Sequence, residues 1–124
     1  MTKFSKIEYL TEFTKDLKKL SKKFPSLDGD LKTLISAQLI AFHKYKIDNH
    51  GIFHIEGLSI SYPKIYKVKK FACKSLKGRG AQSGLRVVYA YFPDLDQVVF
   101  IEIYYKANQA NENRERIKKQ YHRS

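Results

Sequence analysis

The pattern of apolar and polar positions predicts a sheet in the second half of the chain. Three segments rich in Val, Ile, Phe and Tyr lie between Tyr66 and Lys106, separated by connections that contain Gly or Pro-Asp. Segments of this composition, divided by turn residues, are typical of consecutive antiparallel strands. We therefore predict a three-stranded meander formed by residues 67–75, 84–92 and 98–106.

The middle strand, GLRVVYAYF, carries a charge among apolar residues. Successive side chains of a strand point to opposite faces of the sheet. One face takes Leu85, Val87, Tyr89 and Tyr91, and the other takes Arg86, Val88, Ala90 and Phe92. Because neither face is wholly polar, we expect both to be at least partly covered. An unpaired buried charge is costly, so we interpret Arg86 as a residue that binds an anion.

The first half of the chain has helical spacing of its apolar residues. Residues 6–10 predict a short edge strand, and Thr11 is a suitable N-cap for a helix over residues 11–24. A second helix is predicted after the acidic segment 28–30, which suits the positive end of a helix dipole. Together the two helices predict an antiparallel hairpin, and residues 47–63 predict an extended connection with at most one short strand.

The order of these elements predicts an α+β fold. We expect a small antiparallel sheet with a mixed edge, an N-terminal helical hairpin on one face and a short C-terminal helix over residues 112–121, capped by Asn111. A chain of 124 residues is long enough for a single domain over residues 1–124. No apolar run has the length of a signal peptide or a membrane span, which predicts a cytoplasmic protein with no membrane partner.

Charge and cysteine content narrow the class of partner. The sequence has 24 Lys and Arg against 12 Asp and Glu, a net charge of +12. Such an excess predicts a polyanionic or acidic partner, either nucleic acid or an acidic protein. Cys73 is the only cysteine, so an internal disulfide and a Cys-based zinc site are excluded.

Sequence motifs exclude several common chemistries. The phosphate-binding, dinucleotide-binding, zinc-protease and serine-hydrolase motifs are all missing. The pair His50 and His54 is too small a ligand set for a metal ion. We therefore predict neither a metal site nor a cofactor.

The remaining candidates form a basic and aromatic set on and around the predicted sheet. Cleavage of RNA can proceed without metal when a base takes the 2′-hydroxyl proton, cations neutralise the phosphorane and an acid protonates the leaving oxygen. Arg, Lys, Tyr and His can fill these roles. The candidate catalytic residues are Arg86, Lys74, Lys77, Lys106, Arg114, Tyr121 and His122. The candidate RNA-binding residues are Lys69, Arg79, Arg116 and Lys118.

The segment SGLRVVYAYFPDLDQVVFIEIYYK resembles the centre of the RelE/ParE superfamily of type II toxins. In that superfamily a strand of the form G-x-R-V/L-V/I-Y is followed by a turn, an apolar strand and a Lys at the end of that strand. The predicted order of elements is also similar, with residues 47–65 as an addition. The resemblance implies the superfamily's fold and favours the RelE-like branch, whose members are ribosome-dependent mRNA endonucleases.

The resemblance also implies roles for individual residues. Arg86 takes the position of the arginine that holds the scissile phosphate. Lys74, with Lys69 or Lys77 as substitutes, takes the position of a lysine that acts as base or stabilises charge. Lys106 or Arg114 replaces a basic residue beyond the last strand. Tyr121 and His122 correspond loosely to a catalytic Tyr or a terminal His-Tyr pair.

The partners implied by the resemblance are mRNA on the ribosome and a cognate acidic antitoxin, bound in a toxin–antitoxin hetero-oligomer. Two alternatives remain. One keeps the fold without the nuclease chemistry, as a ParE-like topoisomerase poison or an inactive relative that binds RNA or protein. The other is a basic RNA-binding domain that stacks bases on Tyr89 or Tyr104, which requires one of these rings to be exposed.

Overall fold

A three-stranded antiparallel meander forms the centre of a five-stranded mixed sheet in an α+β fold. The structure is a computed structural model that describes residues 2–121. The strands are β1 (Lys6–Tyr9), β2 (Ile52–His54), β3 (Lys64–Val68), β4 (Leu85–Phe92) and β5 (Gln97–Tyr105). Their order in the sheet is β1-β5-β4-β3-β2.

The edge of the sheet is mixed, as predicted. β1 pairs with β5 in parallel, whereas the other three pairs of neighbours are antiparallel. β2 is the short strand expected within residues 47–63, and it occupies the opposite edge. The α+β class and the mixed sheet are therefore confirmed.

The first strand of the meander was placed wrongly. β3 ends at Val68, and the chain then leaves the sheet in a long loop that precedes β4. Phe71 and Cys73 are buried in the apolar core under the helices. The Lys74 N–H is directed to the Asp30 carboxylate at 3.2 Å, which holds the loop against the second helix. The burial of Phe71 and Cys73 in the core outweighed the β propensity of residues 69–75.

Three helices pack on the sheet. The first is α1 (Thr11–Ser21). The second begins as α2 (Leu27–Thr33), continues through a π-helical segment (Leu34–Leu39) and ends as α3 (Ile40–Lys44). The third is α4 (Arg114–Tyr121). No helix in the described part of the chain is long and apolar enough to cross a membrane.

Helix ends differ from the predicted ones by a few residues. The residue before α1 is Leu10, which makes no capping hydrogen bond, so Thr11 is the first helical residue and not its cap. α4 is capped by Asn113 and not Asn111, because the Asn113 Oδ1 accepts a hydrogen bond from the Arg116 N–H at 3.1 Å.

Two apolar cores cover the two faces of the sheet. On the helical face, defined here as the side of Leu85, Val87 and Tyr89, the residues pack against α1, α2 and α3. On the opposite side, named here the C-terminal face, Val88 and Ala90 pack with Ile117 of α4. Both faces are covered, as the alternation in β4 predicted.

Candidate functional site

A β-bulge in β5 determines which residues of β5 lie opposite Arg86. Val88 pairs with Glu102 while Tyr89 pairs with Phe100, so Ile101 is an extra residue in the ladder. Ile101 belongs to the core of the C-terminal face, and Glu102 faces the same side as Val88. The bulge therefore brings Glu102 onto the C-terminal face and places Tyr104 directly opposite Arg86.

The Arg86 guanidinium is half-buried and forms no ion pair in the described part of the chain. Its NH1 atom donates to the backbone carbonyls of Lys69 at 3.3 Å and Leu85 at 3.4 Å. Carbonyl partners hold the side chain in place but leave its positive charge uncompensated. Arg86 therefore carries a positive charge that no carboxylate of the described residues compensates.

Two lysines flank Arg86. Continuation of the β3–β4 register, in which Val68 pairs with Val87, places Lys69 beside Arg86. Lys106 follows β5, and its N–H donates to the Gly84 carbonyl at 2.8 Å, so the ladder extends one residue further. Both lysines are exposed. We name Lys69, Arg86 and Lys106 the cationic row, since strand alternation assigns all three to the C-terminal face.

An exposed aromatic ring extends the cationic row towards the edge of the sheet. The Lys69 Nζ lies 4.7 Å from the centroid of the Phe53 ring, a cation–π distance. Phe53 belongs to the edge strand β2 and is 42% exposed. The surface therefore combines three cations with an open aromatic ring.

Two buried carboxylates lie near the cationic row but have other partners. Glu112 accepts from the Lys67 Nζ at 2.5 Å and from the Arg114 Nε at 3.0 Å. Glu102 accepts from the Gln109 side chain at 2.8 Å and from the Asn113 N–H at 2.7 Å. Because these hydrogen bonds occupy both carboxylates, neither one is paired with Arg86.

Tyr104, which pairs with Arg86 across the β4–β5 ladder, is a neutral phenol. Burial, followed by the charges of Glu112 and Glu102, raises the pKa of Tyr104 to about 12, although Arg86 acts in the opposite direction. Tyr104 is only 4% exposed, and Tyr89 is fully buried. Base stacking on either ring, which the simple RNA-binding alternative required, is therefore excluded.

Two predicted arginines are engaged in the fold. Arg114 is bonded to Glu112 and also donates to the Glu56 carbonyl at 2.8 Å. The Arg116 NH1 donates to the Asp16 carboxylate at 2.6 Å and to the Ile101 carbonyl at 3.0 Å. Arg116 was predicted to bind RNA, but in the structure this ion pair engages its guanidinium and ties α4 to α1. Arg114 is likewise occupied and does not join the cationic row.

The basic residues of the long loop are exposed but separate from Arg86. Phe71, Cys73 and Leu76 anchor the loop on the helical face. Lys74, Lys77 and Arg79 therefore follow a segment that has left the sheet, and none of them bonds to Arg86. Since Lys74 does not lie on the strand beside Arg86, its expected position was wrong and Lys69 occupies it.

The end of the chain contributes less than predicted. Tyr121 packs on Phe92, with ring centroids 6.0 Å apart. Phe92 and Arg86 are at opposite ends of β4, about 20 Å apart at the usual rise of a strand. Burial, followed by Glu8, raises the pKa of Tyr121 to about 12. Lys118 is half-buried on α4, and His122 lies outside the described residues.

Sequence reasoning missed the residues that surround the cationic row. Glu102 is a single carboxylate in the apolar strand VVFIEIYY, and the argument that singled out Arg86 could have found it. No local sequence pattern indicated the contact between Lys67 and Glu112, because the two residues are 45 positions apart.

Comparisons with known proteins do not identify the site. No protein-family model, curated protein or solved structure matches the chain. Within residues 2–121, no group of three His, Cys, Asp or Glu side chains could hold a metal ion.

Proposed function

We propose that the protein is the toxin of a type II toxin–antitoxin system, of the RelE-like kind, and that it cleaves mRNA on the ribosome without a metal ion. The observation that carries this proposal is the Arg86 guanidinium, fixed by two carbonyls and unpaired with any carboxylate among the described residues. In a RelE-like site the arginine of this strand holds the scissile phosphate.

The cationic row supplies charge stabilisation on both sides of Arg86. Attack of the 2′-hydroxyl on the phosphorus concentrates negative charge on the phosphorane oxygens. Preorganised cations stabilise such a transition state more than they stabilise the substrate. Arg86 binds the phosphate, while Lys69 and Lys106 neutralise the phosphorane and exchange protons with the 2′-hydroxyl and the 5′-oxygen. The products are a 2′,3′-cyclic phosphate and a 5′-hydroxyl.

The same basic surface suits an acidic antitoxin. The net charge of +12 favours association with a polyanion of either kind. An acidic segment that binds over Lys69, Arg86 and Lys106 excludes RNA by direct competition. We therefore propose a hetero-oligomer of toxin and antitoxin in the cytoplasm as the inactive form.

One observation favours the alternative, a topoisomerase poison or an inactive relative that binds RNA or protein. Tyr121 lies at the far end of β4, and the nearby carboxylates Glu102 and Glu112 are engaged by other donors. Among the described residues this leaves Lys69 and Lys106 for proton transfer at Arg86. A site whose lysines do not transfer protons binds RNA without cleaving it. The two candidates differ in whether RNA ends are produced.

The test is transcript-end mapping after induction of wild-type protein, Arg86→Ala and Lys32→Ala. Lys32 is the control, because it is an exposed cation on α2, outside the cationic row. We expect the wild type and Lys32→Ala to stop growth and produce new ends within reading frames. We expect Arg86→Ala to reduce cleavage by about 10²-fold or more, the usual effect of losing one transition-state donor.

The reaction chemistry is tested separately with purified protein, ribosomes and mRNA. Cleavage of ribosome-bound mRNA is expected to yield fragments with 2′,3′-cyclic phosphate and 5′-hydroxyl ends, because the 2′-hydroxyl and not water attacks the phosphorus. Unchanged mRNA ends together with a DNA-damage response would indicate the topoisomerase alternative. Growth arrest that is equal for wild type and Arg86→Ala would contradict the nuclease proposal.

A further inference from the structure

A concave site lies on the helical face, away from the cationic row. It is a groove of about 380 Å³ between the end of α3 and strands β3 and β4. His43, Tyr66 and Tyr91 line it, and Lys46 and Lys64 are at its rim. Tyr91 and Arg86 lie on opposite faces of β4 and five residues apart, so the groove and the cationic row are separate.

The wall of the groove is aromatic and only partly covered. The His43 imidazole stacks on the Tyr91 ring, with centroids 3.8 Å apart and planes 25° from parallel. The Tyr66 ring meets His43 edge to face at 5.2 Å. Tyr66 and Tyr91 are half-buried, so both rings keep part of their surface open. An open aromatic surface of this kind suits a planar ring as ligand.

The hydrogen bond between His43 and Tyr89 fixes the state of the imidazole. The Tyr89 hydroxyl lies 2.8 Å from the His43 Nε2, and Tyr89 is fully buried. If the hydroxyl only accepted this bond, its own proton would be buried without a partner, so the hydroxyl donates to Nε2. Burial, with Lys46 and Lys44, lowers the pKa of His43 to about 4, which keeps the ring neutral. The proton of the neutral ring is then on Nδ1, where it can be donated.

The rim of the groove is basic. Lys46 and Lys64 are exposed, and neither forms an ion pair within residues 2–121. Lys64 pairs with Tyr91 across the β3–β4 ladder, so its side chain rises next to the aromatic wall. Asp48 is the one carboxylate among the lining residues, and it accepts from the His50 N–H at 2.8 Å. Two cations against one carboxylate favour an anionic ligand.

We propose that this groove binds a single nucleotide, with its base against Tyr66 and Tyr91 and its phosphate at Lys46 and Lys64. The ligand combines the two features of the groove, a planar ring and a compact anion. It is either a free nucleotide or one unit of an RNA strand. The proposal does not depend on cleavage at Arg86, since the two sites lie on opposite faces of the sheet.

The test measures binding of AMP, adenosine, inorganic phosphate and a trinucleotide RNA by calorimetry and by amide chemical shifts. We expect AMP to bind more tightly than adenosine or phosphate and to shift the amides of Tyr66 and Tyr91. Lys64→Gln should weaken AMP binding about tenfold, whereas Lys64→Arg should retain it. Lys32→Gln, at an exposed lysine on α2, should leave it unchanged within twofold.

The two sources of the ligand give different results. Binding of AMP but not of the trinucleotide indicates a free nucleotide, and tighter binding of the trinucleotide at the same amides indicates RNA. Tyr91→Leu should weaken both AMP and adenosine, and its folding is checked by circular dichroism. The proposal is overturned if AMP shifts only amides around Arg86, or if Lys32→Gln and Lys64→Gln weaken binding equally. It is also overturned if an acidic peptide containing Phe occupies the groove and AMP does not.

Discussion

The two faces of the sheet bury polar groups in different ways. On the helical face the polar pair buried between α3 and β4 is neutral, the His43 imidazole with the Tyr89 hydroxyl. On the C-terminal face the buried groups are ionic, with Lys67 and Glu112 joined at 2.5 Å. Arg86, which is half-buried on the same face, has no carboxylate partner in the described chain.

This difference follows from how each face is covered. α1, α2 and α3 lie over the helical face and exclude water, so a buried charge there needs hydrogen-bond donors, as the Asp30 carboxylate has in the Ser26 hydroxyl and the Lys74 N–H. α4 is eight residues long and covers only part of the C-terminal face, where Ile117 is its buried residue. The uncovered part remains close to water, and a charged side chain such as Arg86 can stay ionised there. The shortness of α4 is therefore what leaves room for an anion-binding site.

The largest expected effect is the loss of stability when a buried ring is removed from the helical face. Phe13 of α1 is fully buried on the helical face, 5.3 Å from the Phe100 ring. Phe13→Ala should lower the free energy of unfolding by about 3–5 kcal/mol, because it removes apolar contacts and leaves a cavity. Urea denaturation followed by circular dichroism measures the change.

Phe53→Ala is the matched control on the opposite face. Phe53 is 42% exposed on the edge strand β2, so the same substitution should cost less than about 1 kcal/mol. Arg86→Ala should also change stability by less than about 1 kcal/mol, since Arg86 is only half-buried. If Phe53→Ala were as destabilising as Phe13→Ala, the two faces would not differ in packing as the structure indicates.

The alternation of apolar and polar residues predicted the side-chain directions in β4, but it did not predict the path of the chain after Val68. The alternation in residues 85–92 correctly assigned Arg86 to one face and Tyr89 to the other, because side-chain direction in a strand depends only on parity. The chain beyond Val68 was predicted wrongly, since its path depends on the burial of Phe71 under helices distant in sequence. The cationic row was only partly foreseen for the same reason.

Long-range pairs were not visible in the sequence. Arg116 was predicted to bind RNA, yet its partner Asp16 lies 100 residues earlier. Tyr121 and Arg114 share one side of α4 in sequence, but the helix places the first on Phe92 and the second on Glu112. Composition indicates how many cations a chain has, whereas the tertiary fold decides which of them are paired.

The second prediction uses pH to test the neutral pair of the helical face. Burial, then Lys46 and Lys44, lowers the pKa of His43 from 6.5 to about 4. Between these values the unfolded chain binds a proton that the folded chain does not, so stability falls as pH falls from 6.5 towards 4. The contribution is about 3 kcal/mol over this range, from 1.36 kcal/mol per pKa unit. Urea midpoints at several pH values measure it.

His43→Gln is the variant for this test, and Tyr89→Phe is its control. His43→Gln should be less stable at pH 7 and should lose the stability change between pH 6.5 and 4. Tyr89→Phe removes the hydroxyl but retains the buried imidazole, so it should keep most of the pH dependence. A wild-type protein with equal stability at pH 6.5 and pH 4.5 would mean that the imidazole charges freely in the folded state.

The smallest of the three effects tests the ionic pairs of the C-terminal face. Burial raises the pKa of Glu112, but the hydrogen bond from Lys67, with further help from Arg114, outweighs it and lowers the pKa below 4.5. The stabilisation from Glu112 is therefore complete above about pH 4.5 and is lost as pH falls through the folded pKa of Glu112. This pH window is lower than that of His43.

Glu112→Gln should cost about 2 kcal/mol at pH 7, because Lys67 is left buried without its counter-charge. The same substitution at the exposed Glu115 of α4 is the control and should change stability by less than about 0.5 kcal/mol. Thermal unfolding at pH 7 and at pH 3 distinguishes the variants, since Glu112→Gln should lose less stability than the wild type on acidification. If both variants responded to acid as the wild type does, the carboxylate of Glu112 would not be what holds α4 against the sheet.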